Sequence, residues 1–284
     1  ITSWWRVDSS IKMKLIFKLF VFTFCIAAHL QAVEFKGTFA QGNLIVGKTD
    51  PGSKIFIDQK KIKVSKKGFF AFGLKKNRKD DVIIEIIKDK TKQKIVKKVY
   101  KKKYKVQKIN GLPPKQVTPP KEVYDRIKAD NKLISRARAI NSDLKFFIGD
   151  FRVPIKKTII TGVYGSQRIL NGIPKSPHYG LDFAAKEGTE IKAMLGGVVT
   201  LSDNDLYYTG GTIIFDHGHG VSTLYMHMKD IFVKEKQIIK QGDVIGTVGK
   251  TGRSTGPHLD VRLNWFGVKL DPASVLDLKS LINK

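Results

Sequence analysis

Cysteine is almost missing. The only one, Cys25, sits in an apolar stretch near the start of the chain. A disulfide framework and a thiolate metal site are therefore both excluded. Acidic residues are scarce as well: 25 Asp and Glu stand against 52 Lys and Arg, a formal charge of +27. A chain so basic is drawn to polyanions, whether nucleic acid, an acidic membrane surface or an anionic cell-wall polymer. Long apolar runs are also lacking. The stretch from Leu15 to Ala28 is shorter than the roughly 20 residues a membrane span needs, and Lys18 interrupts it.

What that stretch does fit is export. From Met13 the chain reads MKLIFKLFVFTFCIAAHLQA. It has a basic start at Lys14 and Lys18, an apolar middle, and a small residue, Ala32, at its end. This is the pattern of a secretory signal peptide over 13–32, which leaves no stable membrane span after cleavage. Residues 1–12 precede the first Met and are set aside as an upstream segment foreign to the fold. TFCIA lacks the small residues that precede a lipidated cysteine. Export places the mature protein in the periplasm or outside the cell. It argues against nucleic acid as a partner and for the anionic cell-envelope surface.

The fold class expected is all-β. Residues 34–108 hold short runs rich in Ile, Val and Phe, such as LIVGK and KIFID around the turn Asp50-Pro51-Gly52. Their spacing suggests a small β-sandwich-like accessory domain whose lysines line solvated strand faces. Residues 109–150 form a linker. Its Pro-Pro pairs stiffen the chain, and Lys121 to Ile140, free of Gly and Pro, reads as one connecting helix through Val123, Ile127, Ile134 and Ala137. From 151 to 280, glycine-rich turns separate short strands again, and an antiparallel β-sheet domain is expected.

Five of the six histidines fall in this last domain. SPHYGLDFAA carries His178 and Asp182, LYMHM carries His227, and GPHLDVRL carries His258 and Asp260. A hydrolytic zinc site needs three protein ligands and one open position, with further groups to move a proton and stabilise developing charge. Without cysteine it must be built from imidazole and carboxylate. His178, Asp182 and one residue of the last motif could serve as ligands, and His227 and His258 could do the proton and charge work. His217 and His219 in DHGHG read as ordinary histidines at a turn between strands. Arg168, Asn171 and Tyr179 are candidate substrate contacts, although Asn171-Gly172 also has the composition of a tight turn.

From about Arg152 to Leu276 the sequence resembles the lysostaphin/LytM-type zinc metallopeptidases, which cut peptide cross-links in peptidoglycan. The resemblance rests on GVYGSQRILNGIPKSPHYGLDFAAKEGTEIKAMLGGVV, IIFDHGHGVSTLYMHM, VKEKQIIKQGDVIGTVGKTGRSTGPHL and NWFGVKLDP, in that order. It implies one zinc ion per chain, held by His178 and Asp182. It also implies catalytic roles for His227 and His258, and peptidoglycan as the partner. The family's last motif is HxH, and its second histidine is the third ligand. Here that place is taken by Asp260. In a strand, residue 260 faces the same side as His258, and aspartate binds zinc through oxygen. A site of one histidine and two carboxylates carries less positive charge than one of two histidines and one carboxylate. The expectation is a slower enzyme, or one that prefers a harder ion such as manganese. Two other readings stay open. The domain could be a degenerate, non-catalytic module that activates another wall hydrolase, or a wall-binding protein whose basic β-domain supplies the affinity.

Overall fold

The computed structural model describes residues 33–111 and 117–278. The segment 1–12 set aside above, the stretch 13–32 read as a signal peptide, with Cys25, and the first Pro-Pro pair of the linker lie outside the described residues. No helix among the described residues is long and apolar enough to cross a membrane.

The amino-terminal half is built from β1 (Glu34–Lys36), β2 (Leu44–Lys48), β3 (Lys54–Ile57), β4 (Lys60–Ile62), β5 (Phe69–Gly73), β6 (Val82–Lys88) and β7 (Thr91–Lys97). One sheet has the order β1-β2-β5, the other β4-β3-β6-β7. Alternation decides which side chains meet between them. Val82, Ile84 and Ile86 of β6 point inward with Ile45, Ile55, Phe70 and Phe72. On β7 the exposed positions are Lys92, Lys94 and Val96, so two of its lysines line a solvated face as expected.

The strand β8 (Val106–Ile109) departs from the expected boundary. It pairs in parallel with β10 (Gln167–Leu170), past β9 (Ile159–Gly162) in the chain. The end of the segment assigned to the accessory domain is therefore stitched to the carboxy-terminal half. Backbone pairing decides this, and side-chain pattern does not reveal it. After β8 a 3-10 turn, Lys121–Val123, leads into helix α1 (Tyr124–Arg138). The helix is docked rather than free. Ile134 and Ala137 pack on Leu201, Leu206, Ile214 and Leu224, and the Asp130 carboxylate accepts the Tyr207 backbone N–H at 2.7 Å.

The remaining strands are β11 (Ile173–Lys175), β12 (Leu181–Ala184), β13 (Glu190–Lys192), β14 (Gly197–Leu206), β15 (Gly210–Gly218), β16 (Val221–Ile231), β17 (Ile238–Ile239), β18 (Val244–Val248), β19 (His258–Trp265) and β20 (Val268–Leu270). A large antiparallel sheet runs β17-β14-β15-β16-β19-β12-β9, with β18 bridging β13 and β16, and β20 extending from β19. One face holds the main core, including Phe183, Phe215, Tyr225, Leu259, Val261 and Leu263. Because neighbours alternate, Asp182 of β12 and His258, Asp260, Arg262 and Asn264 of β19 are turned to the opposite face. Helix α1 covers that same face further along the sheet. The two halves meet where Leu44 and Ala71 join the core containing Leu270, and Lys102 Nζ pairs with Asp271 at 2.8 Å.

Candidate active site

Strand register assembles the site. Asp182 and Asp260 are direct partners across β12 and β19, and Ala184 is opposite His258. Met226 is opposite Asp260 on the other side, which brings His227 alongside. Residue 227 has φ of 64°, a left-handed conformation unusual for histidine, and its N–H is held by the Thr209 carbonyl at 2.8 Å. His178 precedes β12, and its own N–H donates to the Ser166 carbonyl at 2.8 Å.

Nε2 of His178 lies 3.1 Å from Asp182 Oδ1 and 3.4 Å from Asp260 Oδ2. One ligand atom from each of the three residues falls within 4.8 Å of the others, and all three residues are buried. Ligands 2.0–2.1 Å from a tetrahedral ion sit about 3.3 Å apart, so the two distances match the edge of such a site. The second nitrogen of His178, Nδ1, faces the Val163 carbonyl at 3.3 Å. That contact holds a proton on Nδ1, so Nε2 is the atom turned towards the two carboxylates, and it would give up its own proton when a cation binds. Asp260 Oδ1 is buried without a hydrogen-bond partner, a costly state that a cation would relieve. The residues present therefore fit a metal ion, with Asp260 in the third position. Close backbone makes room for them. A Cβ on Gly180 would stand 1.8 Å from Asp260 Oδ1, and one on Gly162 would stand 2.1 Å from Asp182 Oδ2.

His227 and His258 pack against each other beside this cluster, with ring centroids 4.8 Å apart and the planes tilted by 46°. Nδ1 of His227 donates to the Thr251 carbonyl at 2.9 Å, and Nδ1 of His258 donates to the Gly256 carbonyl at 2.8 Å. Each ring thus keeps Nε2 for other chemistry. Burial holds the His227 pKa below its ordinary value, against the pull of Asp260 and with the push of His258. His227 is a neutral base near pH 7. Burial opposes charge on His178, but hydrogen bonds and charge from Asp182 and Asp260 prevail and raise it to about 9. Burial likewise opposes charge on Asp260, yet Arg262, His178 and His227 hold its carboxyl far below the usual range.

Of the sequence candidates, the structure brings His178, Asp182, Asp260, His227 and His258 together. Arg168 joins them, with its guanidinium 3.7 Å from Asp182 Oδ2. Tyr179 adjoins His178, stacks edge-on against Tyr164 at 5.9 Å, and lies under Lys269 Nζ at 4.2 Å. Asn171 occupies the β10–β11 hairpin turn with Gly172, both at positive φ (48° and 80°), the conformation of a tight two-residue hairpin. His217 and His219 stand apart from the cluster. Both are buried rather than at the surface. His217 lies inside β15, where Nδ1 donates to the Gly196 carbonyl at 2.7 Å and Nε2 accepts from the Thr223 hydroxyl at 2.8 Å. Burial pushes its pKa down to about 4, against the pull of the Gly196 carbonyl.

Sequence reasoning passed over Arg262. Its guanidinium donates to Asp260 Oδ2 at 3.1 Å. The alternation His258, Asp260, Arg262 on one strand was the available signal. Each carboxylate of the cluster therefore has an arginine at its back, and the charge deficit expected from Asp260 is offset within the protein.

Residues 176–272 match the model of peptidase family M23. Over 98 residues the chain is 41% identical to the DD-carboxypeptidase/endopeptidase Mpg of Neisseria meningitidis serogroup B, an alignment covering 34% of this chain and 22% of that protein. Over 88 residues it is 41% identical to the peptidoglycan DD-endopeptidase ShyA of Vibrio cholerae serotype O1, covering 31% of this chain and 20% of the relative. The chain thus spans about a fifth of the length of these relatives. A solved structure from Pseudomonas aeruginosa, described as a peptidase M23, superposes over 84% of this chain and 95% of that one. The TM-score is 0.61 at 23% identity, a likeness of fold.

Proposed function

Since residues 176–272 match the model of peptidase family M23, we propose that this chain is an exported, zinc-dependent endopeptidase that hydrolyses peptide bonds in peptidoglycan. The observation that carries this reading is the convergence of three buried ligand atoms, from His178, Asp182 and Asp260, next to a pair of histidines with free Nε2 atoms. The curated relatives named for peptidoglycan cleavage point to the same substrate class.

His178, Asp182 and Asp260 would hold one zinc ion, which when bound supplies Lewis acidity toward the scissile carbonyl and toward water. The rest of the chemistry belongs to side chains. His227, kept neutral by burial, takes the proton of the attacking water at Nε2. His258 faces the same space and, in the form that carries a proton on Nε2, stabilises the developing oxyanion, while the proton taken up by His227 passes to the leaving amine. Fixed Nδ1–H donors keep both rings aimed, so little reorganisation is needed during reaction. Arg168 and Arg262 hold the carboxylates of Asp182 and Asp260 in place, and Arg168 and Tyr179 stand beside the cluster where a peptide would lie. The charge of +27 concentrates the protein at the anionic envelope, and that attraction weakens with salt.

The Arg262–Asp260 pair also favours a second reading. A guanidinium on a ligand carboxylate is what a metal-free, non-catalytic wall-binding or activator domain would retain. Digestion of purified sacculi by the zinc-loaded protein, with released fragments identified by mass, separates the two. Newly exposed amino groups at peptide cross-links support the peptidase; intact cross-links together with bound sacculi support the binder.

A further inference from the structure

Beside the metal-ligand cluster lies a second group of polar residues, made partly by helix α1. Ser222, Asn264 and Lys269 are register partners in one row across β16, β19 and β20, so their side chains share a face. Arg262 is on the same face two residues before Asn264. Arg138, from the last turn of α1, donates through Nη1 to Asn264 Oδ1 at 3.2 Å. Four polar atoms in this group, Arg138 Nε, Arg262 Nε, Asn264 Nδ2 and Ser222 Oγ, are buried without a hydrogen-bond partner. All four carry or can present a donor hydrogen.

The charge is as one-sided as the hydrogen bonding. Arg138, Arg262 and Lys269 place three cations around Asn264, and the carboxylate paired with Arg262 is the ligand Asp260. Among the described residues no carboxylate forms an ion pair with Arg138 or Lys269. Lys269 is turned over the ring of Tyr179, the neighbour of His178. Burial lowers the pKa of both Arg138 and Lys269, and repulsion from Arg262 lowers both further. Donors crowded together with unmatched positive charge call for an anionic acceptor.

We propose that Arg138, Arg262 and Lys269 form a carboxylate-binding subsite that anchors a free carboxylate of the peptide substrate. The proposal rests on the peptidase reading of the adjoining cluster and says which peptides that cluster receives. Two residues along β19 separate Asp260 from Arg262, about 7 Å at strand rise. An extended peptide covers that distance in about two residues, so the anchored carboxylate lies within about two residues of the bond cut. Arg138 falls outside the residues matched to the family model, 176–272. The docked helix therefore adds a specificity element that the peptidase domain alone does not contain.

The test is calorimetric titration of the full chain with N-acetyl-L-lysyl-D-alanyl-D-alanine as the free acid and as the carboxamide. Zinc is withheld, so that no turnover intervenes and the metal cannot bind the carboxylate instead. The wild type is expected to bind the acid at least about tenfold more tightly than the amide, as charged hydrogen bonds allow. In Arg138→Gln and Lys269→Gln the ratio falls towards one, while Arg138→Lys, which keeps the charge, keeps much of the preference. Equal binding of acid and amide by the wild type, no binding of either, or a ratio that persists in both glutamine variants overturns the proposal. Sacculus digestion by the zinc-loaded protein is read separately. A tenfold acid preference without digestion sinks the peptidase reading and leaves the subsite standing.

Discussion

His217 offers a sharp check on how the central sheet is held. It is fully buried, donates from Nδ1 to Gly196 and accepts at Nε2 from Thr223. Protonation would put a second N–H on Nε2, facing a hydroxyl that now donates to it, and a charge where no water reaches. That is why its pKa falls to about 4 from 6.5. The unfolded chain takes up this proton as the pH drops through 6.5, and the folded chain does not until about 4. Stability contributed by neutral His217 is therefore complete above pH 6.5 and is lost as the pH falls towards 4. The loss is roughly 3 kcal/mol, at 1.36 kcal/mol per factor of ten in the proton equilibrium. Urea unfolding followed by far-ultraviolet circular dichroism, at steps from pH 7 to pH 4, compares the wild type with His217→Asn. Asparagine keeps a donor near Gly196 but has no proton to take up in this range. The wild type should lose about 3 kcal/mol more than the variant between pH 7 and pH 4. A stability difference between the two that stays constant with pH would refute the reasoning.

Other outcomes follow from the packing around the ligands. Gly180→Ala would drive a Cβ into Asp260 Oδ1, at 1.8 Å before relaxation. Zinc affinity should drop about 10–100-fold, as for loss of a ligand's supporting contact; equilibrium dialysis with zinc measures it, and unchanged affinity would mean that Asp260 is not a ligand. Chelation should abolish cleavage and lower thermal stability together. Zinc at 1,000 times its Kd contributes about 4 kcal/mol to the folded state, and differential scanning calorimetry with and without EDTA reads the change. Raising the salt concentration should weaken retention on sacculi, since much of the attraction is between exposed charges; pull-down at 50 and 500 mM salt measures this.

Period-two alternation made much of the fold legible, and it puts Asp182 of β12 on the same face as His258 and Asp260 of β19. His178 precedes β12, so alternation alone does not place it. The connecting helix was readable too, since Ile134 and Ala137 fall on its apolar face. Its docking was not, because the partners, Leu201, Ile214 and Leu224, belong to strands far along the chain. The pairing of β8 with β10 was hidden for a related reason: a four-residue strand, VQKI, is too short for a hydrophobic pattern to announce its partner. Arg262 was visible as part of HLDVRL but carried no weight until Asp260 was seen to need a counter-charge. Arg138 shows the same limit, since only the fold brings the end of α1 over Asn264.

Whether Asp260 is a working ligand is decided by measuring zinc content and sacculus digestion on the protein, beside Asp260→His. The expected result is stoichiometric zinc and cleavage of peptide cross-links by the wild type, with Asp260→His altering the rate rather than creating the activity. A wild type that holds no zinc and cuts nothing, with both properties appearing only in Asp260→His, would contradict the peptidase assignment and leave a domain that acts by binding.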